Sequence, residues 1–218
     1  MTREQVRARI TEIGIIPAVR LYSAADAMFA AEAVCSAGIP IVEVTTTVPG
    51  AVEVIRELVR QSPDTIVGAG TLFYADSARR CLDAGAKFLT TTGFDPDIVN
   101  LALGRDTVVF PGVLTATEVM AAFKAGCDFV KIFPCAQVGG PTYIRALKAS
   151  FPQIPMIASG GVNQQTAADF IRAGAVALGI GADLIHQDAI KHRNASWIRE
   201  LARRYTEMVK EVRSQVNP

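Results

Sequence analysis

The chain has 218 residues, half of them apolar, and a formal net charge of +1 at pH 7. This length and apolar content predict one domain, spanning residues 1–218, with a large core. The near-neutral charge argues against a nucleic-acid partner. No apolar run approaches the roughly 20 residues that span a membrane. The charged N-terminus lacks an apolar signal core, and the four cysteines form no CxxC pair, so a cytoplasmic location with reduced thiols is expected.

Apolar segments rich in β-branched residues alternate with helical segments along the chain. After a short charged helix, eight strands are predicted, at Ile15–Leu21, Ile41–Thr45, Ile66–Thr71, Phe88–Thr92, Val108–Phe110, Asp128–Pro134, Met156–Ala158 and Ala175–Leu178. A helix follows each strand. Eight such units in about 200 residues predict an α/β fold, a parallel sheet closed into a (β/α)8 TIM barrel with an N-terminal helix. An open doubly wound sheet is the weaker alternative, because no G-x-G-x-x-G follows the first strand.

Several helix ends carry capping signals. Ser23 and Asn163 are predicted N-caps, and Asp95-Pro96 is a predicted helix start. Thr115 with Glu118 three residues later has the pattern of a capping box. Apolar residues in the last helix fall on one face at Ile198, Leu201, Tyr205, Met208 and Val212.

The predicted sixth strand places a lysine inside an apolar segment. Strand alternation puts Phe129, Lys131 and Phe133 on one face. A buried lysine loses hydration, which lowers its pKa from about 10.4, and a neutral amine can attack a ketone to form an imine. The alternative is a strand-end lysine whose ammonium reaches solvent. The pattern alone leaves both open.

Glu43 is the matching acidic candidate. Alternation in Ile41–Thr45 directs Glu43 toward the barrel interior, where a carboxylate is costly unless it is paired or functional. It is predicted to be a general acid/base. The structural alternative is a salt bridge from Glu43 to Lys131 or to Arg20 that only stabilises the barrel.

Other polar and glycine residues cluster at the C-terminal ends of the strands, where such barrels carry their sites. Ser159-Gly160-Gly161 and Gly179-Ile-Gly181 follow the seventh and eighth strands, where backbone N–H groups commonly hold a phosphate. The alternative is two ordinary tight turns. Arg20 is a candidate for binding a substrate carboxylate through two parallel hydrogen bonds. The alternative is that it forms a salt bridge at the rim of the barrel. His186 and His192 are spaced by six and do not share a helix face, so no metal site is predicted.

The ordered set of motifs resembles the 2-keto-3-deoxy-6-phosphogluconate / 4-hydroxy-2-oxoglutarate aldolase family. The matching segments extend over residues ~10–210 and are Ile16-Pro-Ala-Val-Arg20, Val42-Glu-Val-Thr45, Val67-Gly-Ala-Gly-Thr71, Pro111-Gly112, Phe129-Val-Lys-Ile-Phe-Pro134, Ser159-Gly-Gly161 and the Gly179–Gly181 turn. Together these segments are far more specific than any one of them.

The resemblance implies a class I lyase that cleaves a 2-keto-3-deoxy sugar acid, expected to be 6-phosphorylated, to pyruvate and an aldehyde. Lys131 would form the imine and Glu43 would transfer protons. The residues expected to bind the substrate are Arg20, Thr71, Pro111, Phe133, Ser159, Gly160, Gly161, Gly179 and Gly181. The resemblance also implies a homotrimer that acts without metal or cofactor, in carbohydrate metabolism of the Entner–Doudoroff type.

The chain departs from the family pattern at two places. Family members have Glu-Val-Thr-x-Arg, whose arginine helps to bind the substrate carboxylate, whereas this chain has Thr47 at that position. A hydroxyl does not replace a charged hydrogen bond, which is worth about 1.5–3 kcal/mol. The family's Ser-Pro-Gly after the fourth strand is Thr91-Thr92-Gly93 here. Both differences bear on which 2-keto acid is bound.

Two other functions fit the same residues. A phosphosugar isomerase or epimerase would use Glu43 as a base, with Lys131 contributing only its charge. A non-catalytic phosphate-ligand-binding barrel would keep the glycine turns without turnover, and Thr47 is the residue that suggests it.

Overall fold

Strands and helices alternate through residues 1–216, the part of the chain that the computed structural model describes. The strands are β1 Ile15–Val19, β2 Ile41–Thr45, β3 Ile66–Leu72, β4 Phe88–Thr91, β5 Val108–Phe110, β6 Gly112–Val113, β7 Val130–Ile132, β8 Met156–Ser159 and β9 Ala175–Ile180. The α-helices are α1 Arg3–Ile13, α2 Ala24–Cys35, α3 Ala51–Gln61, α4 Ala75–Asp83, α5 Pro96–Gly104, α6 Ala116–Lys124, α7 Pro141–Ser150, α8 Ala167–Arg172, α9 Gln187–Lys191 and α10 Ala195–Val216.

The strands form one parallel sheet in the order β5-β4-β3-β2-β1-β9-β8-β7-β6. β5 and β6 are two halves of one strand, separated only by Pro111, so the two edges of the sheet meet. Proline has no N–H to donate to a neighbouring strand, which explains why the strand is interrupted there. The sheet therefore closes into the predicted (β/α)8 barrel, with the predicted fifth strand present in two pieces.

Most of the predicted helix starts are confirmed by the hydrogen bonds at their caps. Ser23 accepts from Asp26 N, Asp95 accepts from Asp97 N, and Thr115 forms the reciprocal capping box with Glu118. Asn163 was predicted wrongly as an N-cap, because its carboxamide accepts from the N–H groups of a turn at 165–166, and α8 begins only at Ala167.

The last helix is amphipathic, with one shift in its buried face. Ile198, Leu201, Tyr205 and Val212 are buried as predicted, but Met208 is only half-buried and Val209 is buried in its place. With 3.6 residues per turn, Val209 lies closer than Met208 to the centre of the face that Ile198, Leu201 and Tyr205 define. No helix among residues 1–216 is both long enough and apolar enough to cross a membrane.

Aromatic rings fill the barrel beneath its C-terminal end. The ring centroids of Phe88 and Phe110 are 5.3 Å apart, and Phe129 meets Phe110 edge to face at 6.0 Å. All three side chains are almost completely buried. Phe129 precedes Lys131 by two residues, so the rings form an apolar floor below the lysine.

Asp128 joins the N-terminal helix to the other end of the barrel. Its carboxylate accepts from Arg3 Nε at 3.0 Å and from the backbone N–H of Val109 at 2.9 Å. The carboxylate is almost fully buried, whereas the arginine is partly exposed.

Asp128→Ala is expected to lower the free energy of unfolding by about 2–3 kcal/mol, because it leaves the buried Val109 N–H without its acceptor and leaves the Arg3 guanidinium only its hydrogen bond to the Gly126 carbonyl. Urea unfolding measures this loss. Asp83→Ala is the matched control, since it removes an exposed ion pair with Arg105 and should cost less than about 1 kcal/mol. Equal losses in the two variants would contradict the structural role of Asp128.

Candidate active site

A cavity of about 480 Å³ opens at the C-terminal ends of β1, β8 and β9. Its walls include seven of the predicted substrate-binding residues, namely Arg20, Phe133, Ser159, Gly160, Gly161, Gly179 and Gly181. The structure also places Leu21, Tyr22, Thr47, Ala182 and Gln187 in the wall. The sequence pattern did not assign Tyr22 or Gln187 to the site. Tyr22 lies just beyond the end of β1, which is a signal that could have found it, whereas Gln187 begins α9 and carries no such signal.

Lys131 lies on β7 and is only 7% exposed. Loss of hydration lowers the pKa of its amine below the usual range; the nearby Glu43 carboxylate opposes this lowering, and the Arg20 guanidinium adds to it. The Lys131 nitrogen lies 5.4 Å from the centroid of the Phe133 ring. Within residues 1–216 the amine makes no ion pair, which leaves it available to react.

Glu43 extends from β2 across β3, and a glycine provides the space for it. Glu43 pairs with Gly68 in the sheet, and a Cβ at Gly70 would overlap the Glu43 carboxylate. The carboxylate is 5% exposed and has no salt-bridge partner among the described residues. The alternative of a structural salt bridge to Lys131 or Arg20 is therefore absent from residues 1–216.

Arg20 and Thr71 meet at the ends of β1 and β3. Arg20 Nη2 donates to Thr71 Oγ1 at 3.1 Å. Thr71 has a φ of +59°, which is costly for a β-branched residue, and Thr46 Oγ1 donates to its carbonyl at 2.7 Å. The surrounding structure thus holds the Thr71 hydroxyl against the guanidinium in a conformation that the residue would otherwise avoid.

Thr47 lies in the cavity wall, where a family arginine would add a second positive charge. Thr47 Oγ1 is 2.7 Å from Thr45 Oγ1, and the Thr45 hydroxyl also donates to the carbonyl of Val19. Among the described residues of the wall, Arg20 carries the only cationic side chain.

The two glycine turns allow the backbone to approach the cavity closely. Gly160 and Gly161 have φ values of +86° and +81°, and a Cβ at Gly161 would overlap the side chain of Ala136. A Cβ at Gly179 would lie 2.7 Å from Ser159 Oγ, so glycine leaves room for that hydroxyl.

The remaining predicted residue, Pro111, is buried between β5 and β6 and does not line the cavity. Its carbonyl accepts from Lys131 N at 2.9 Å, so it fixes the backbone of the lysine.

Cys135 is fully buried, and burial raises the pKa of its thiol to about 12. His186 stacks on Trp197 at 4.9 Å. Within the described part of the chain, no three His, Cys, Asp or Glu side chains are grouped to hold a metal ion.

A (β/α)8 barrel that encloses a desolvated lysine beside a carboxylate has the groups that carbon–carbon bond cleavage through an imine requires. The family model described as KDPG and KHG aldolase matches residues 6–201, and the chain belongs to this aldolase family. It is therefore a carbon–carbon lyase, and the family reaction yields pyruvate and an aldehyde.

Relatives support the assignment along nearly the whole chain. The 2-dehydro-3-deoxy-6-phosphogalactonate aldolase of Escherichia coli K12 is 31% identical over 91% of this chain and 98% of its own length. A KDPG aldolase from Legionella pneumophila, solved with pyruvate captured as a covalent carbinolamine, has a TM-score of 0.84 at 28% identity, covering 90% of this chain and 96% of that one. A cube-shaped cage designed by fusing symmetric oligomeric domains has a TM-score of 0.85 at 28% identity, covering 94% of this chain and 75% of that one.

The Lys131 amine is expected to titrate with a midpoint below about 10.4, because burial destabilises its charged form. NMR titration of the lysine ¹³Cε signals measures this midpoint, with Lys131→Met to assign the signal. The same lysine in the urea-unfolded chain is the control and should titrate near the usual value.

The same shift makes stability depend on pH. The folded amine binds its proton more weakly than the unfolded one, so this group makes the free energy of unfolding rise with pH between the depressed pKa and about 10.4. Lys131→Met should remove that rise. A folded-state midpoint equal to the unfolded one would show that the amine is hydrated.

Proposed function

We propose that the protein is a class I aldolase that cleaves a 2-keto-3-deoxy sugar acid carrying a 6-phosphate, through an imine on Lys131. The observation that carries the proposal is a buried amine of lowered pKa under the influence of the Glu43 carboxylate, with neither group in an ion pair within residues 1–216. The Legionella relative, in which pyruvate is captured covalently, supports the same chemistry here.

The proposed reaction begins when the neutral Lys131 amine attacks the C2 ketone. The hydroxyl of the carbinolamine takes a proton from solvent and leaves as water, which gives an iminium ion. Glu43 accepts the proton of the C4 hydroxyl, the C3–C4 electrons move into the iminium, and the aldehyde leaves. The resulting enamine takes a proton at C3 from Glu43, and water then releases pyruvate and restores the amine.

Arg20 and Thr71 are proposed to bind the substrate carboxylate. The 3.1 Å hydrogen bond between them fixes the guanidinium at the cavity wall before substrate arrives, which lowers the entropy cost of binding. Since Thr47 supplies no second charge, Arg20 would provide most of the electrostatic attraction for this end of the substrate.

The glycine turns are proposed to hold the phosphate at the other end of the cavity. The backbone N–H groups of Gly161, Val162 and Ala182 have no acceptor among residues 1–216, so they can donate to an anion. The E. coli relative is named for a 6-phosphorylated substrate. The smaller 4-hydroxy-2-oxoglutarate would be a second substrate with weaker binding. We place this activity in the cytoplasm, in sugar-acid catabolism of the Entner–Doudoroff type.

The central test is reductive trapping. Incubation with pyruvate and borohydride should attach a reduced pyruvyl group to Lys131, located by peptide mass spectrometry, because only an imine is reduced in this way. Lys131→Arg is the control, since it keeps the charge but cannot form the adduct. An isomerase would exchange substrate hydrogen with solvent and keep its activity in Lys131→Arg, whereas a binding protein would trap no adduct.

The substrate is tested with a panel of 2-keto-3-deoxy acids, with and without the 6-phosphate, in a pyruvate-release assay. The phosphorylated acids should have the lower KM. Equal KM values for the two forms would overturn the phosphate assignment without affecting the imine.

The chain is further proposed to form a homotrimer through aromatic residues beside the cavity. Tyr22, Phe73 and Tyr74 are 84%, 62% and 74% exposed, which is unusual for such large side chains. Tyr22 follows Arg20 by two residues and Phe73 follows Thr71 by two, and Arg20 contacts Thr71. The designed cage with a similar domain is built from symmetric oligomeric domains, which supports self-association.

Light scattering after size-exclusion chromatography should give three times the chain mass for the wild type. Replacing Phe73 and Tyr74 together by serine should give monomer, because it removes the apolar area that drives association. Phe123→Ser is the control, since Phe123 is 40% exposed on α6 and lies outside the proposed surface. A double variant that stays trimeric would exclude this surface.

A further inference from the structure

A fully buried hydroxyl in the barrel has no partner within residues 1–216. Thr90 on β4 is 0% exposed, and its Oγ1 makes no hydrogen bond to any described residue. A polar group in this state is destabilising, and such groups in native proteins call for an explanation. Thr90 alternates with Phe88, whose ring packs in the barrel against Phe110, so both side chains are directed into the lumen.

Thr90 lies opposite the part of β3 that faces the Glu43 carboxylate. β3 pairs with β4 at Ala69 with Leu89 and again at Leu72 with Thr91, and the register shifts between these pairs, so Gly70 and Thr71 together lie opposite Thr90. The space above Gly70 is occupied by the Glu43 carboxylate. Within residues 1–216, a hydroxyl donor without an acceptor on β4 and a carboxylate without an ion-pair partner on β2 therefore approach the same part of β3 from its two sides.

We propose that Thr90 is a positioning residue for Glu43, donating a hydrogen bond to its carboxylate when Glu43 moves to take or give a proton at C3. This inference rests on the proposed imine chemistry. The two groups are complementary, because an ionised carboxylate only accepts and a hydroxyl can donate. Gly70 has no side chain, so no Cβ at this position blocks a small rotation of the Glu43 carboxylate.

The step that depends on this hydrogen bond is proton transfer at the pyruvate methyl group. In the pyruvate imine on Lys131, Glu43 takes a methyl proton, the C–H electrons form the C2=C3 bond, and the C=N electrons move to nitrogen. The reverse step returns a proton from Glu43, which exchanges with solvent. A misoriented carboxylate slows this step while leaving imine formation in place.

The experiment compares Thr90→Val with Thr90→Ser. Deuterium incorporation into the pyruvate methyl group, followed by proton NMR, measures the transfer; borohydride trapping measures the imine. Thr90→Val, which keeps the shape without the hydroxyl, should slow exchange at least 10-fold and lower kcat with KM nearly unchanged. Trapping should match the wild type. Thr90→Ser, which keeps the hydroxyl, should stay within about threefold of the wild-type exchange rate.

A merely structural Thr90 gives a different result. Thr90→Val would then exchange as fast as the wild type and melt at the same or a higher temperature, because an unpaired buried hydroxyl is removed. That outcome overturns the inference. If valine does not fold, Thr90→Ala against Thr90→Ser makes the same comparison. Failure of the wild type to trap pyruvate would instead overturn the proposed function, so the two failures are distinct.

Discussion

The dehydration of one amine is the constraint on which the site depends. Lys131 projects into a barrel floored by phenylalanine rings and has no ion pair in residues 1–216 to stabilise its charged form. Keeping it there is unfavourable for folding, since a buried charge without a partner is disfavoured and the amine responds by binding its proton more weakly. The same dehydration that opposes folding lowers the pKa of the amine, so a larger fraction of it carries a free electron pair at any given pH.

Glycine at chosen positions lets polar groups occupy this crowded interior. Gly70 leaves the space that the Glu43 carboxylate fills, and Gly179 does the same for the Ser159 hydroxyl. A carboxylate held against a bare backbone can move toward a neighbouring reactant without displacing a side chain. Space for these polar groups is thus obtained by omitting side chains from β3 and β9, while the outer faces of the strands remain packed against helices.

Charge is unevenly distributed around the cavity. Arg20 supplies the positive side chain of the wall, and Thr45 and Thr47 hydrogen-bond to each other where the family places an arginine. In the proposed binding mode, which has fewer charged contacts at the carboxylate end, more of the binding energy would come from the fixed Arg20–Thr71 pair and from the backbone donors of the glycine turns. Preorganisation, rather than the number of charges, would then determine affinity.

The sequence by itself determined the barrel, most helix starts and the inward direction of Glu43 and Lys131. The barrel and the side-chain directions follow from the local period of the strands. The helix starts follow because Ser23, Asp95 and Thr115 accept hydrogen bonds from residues only a few positions away. Asn163 failed because its side chain closes a turn instead of a helix, a choice between two local hydrogen-bond patterns that the residue type does not decide.

Only the tertiary structure decided which polar groups remain unpaired. Three features each depend on strands that are distant in the chain: the strained φ of Thr71 and, within residues 1–216, the absence of a salt bridge at Glu43 and of a partner for the Thr90 hydroxyl. Hydrogen-bond satisfaction and dehydration are properties of three-dimensional neighbours, and a one-dimensional pattern specifies which face a side chain occupies but not what it meets there.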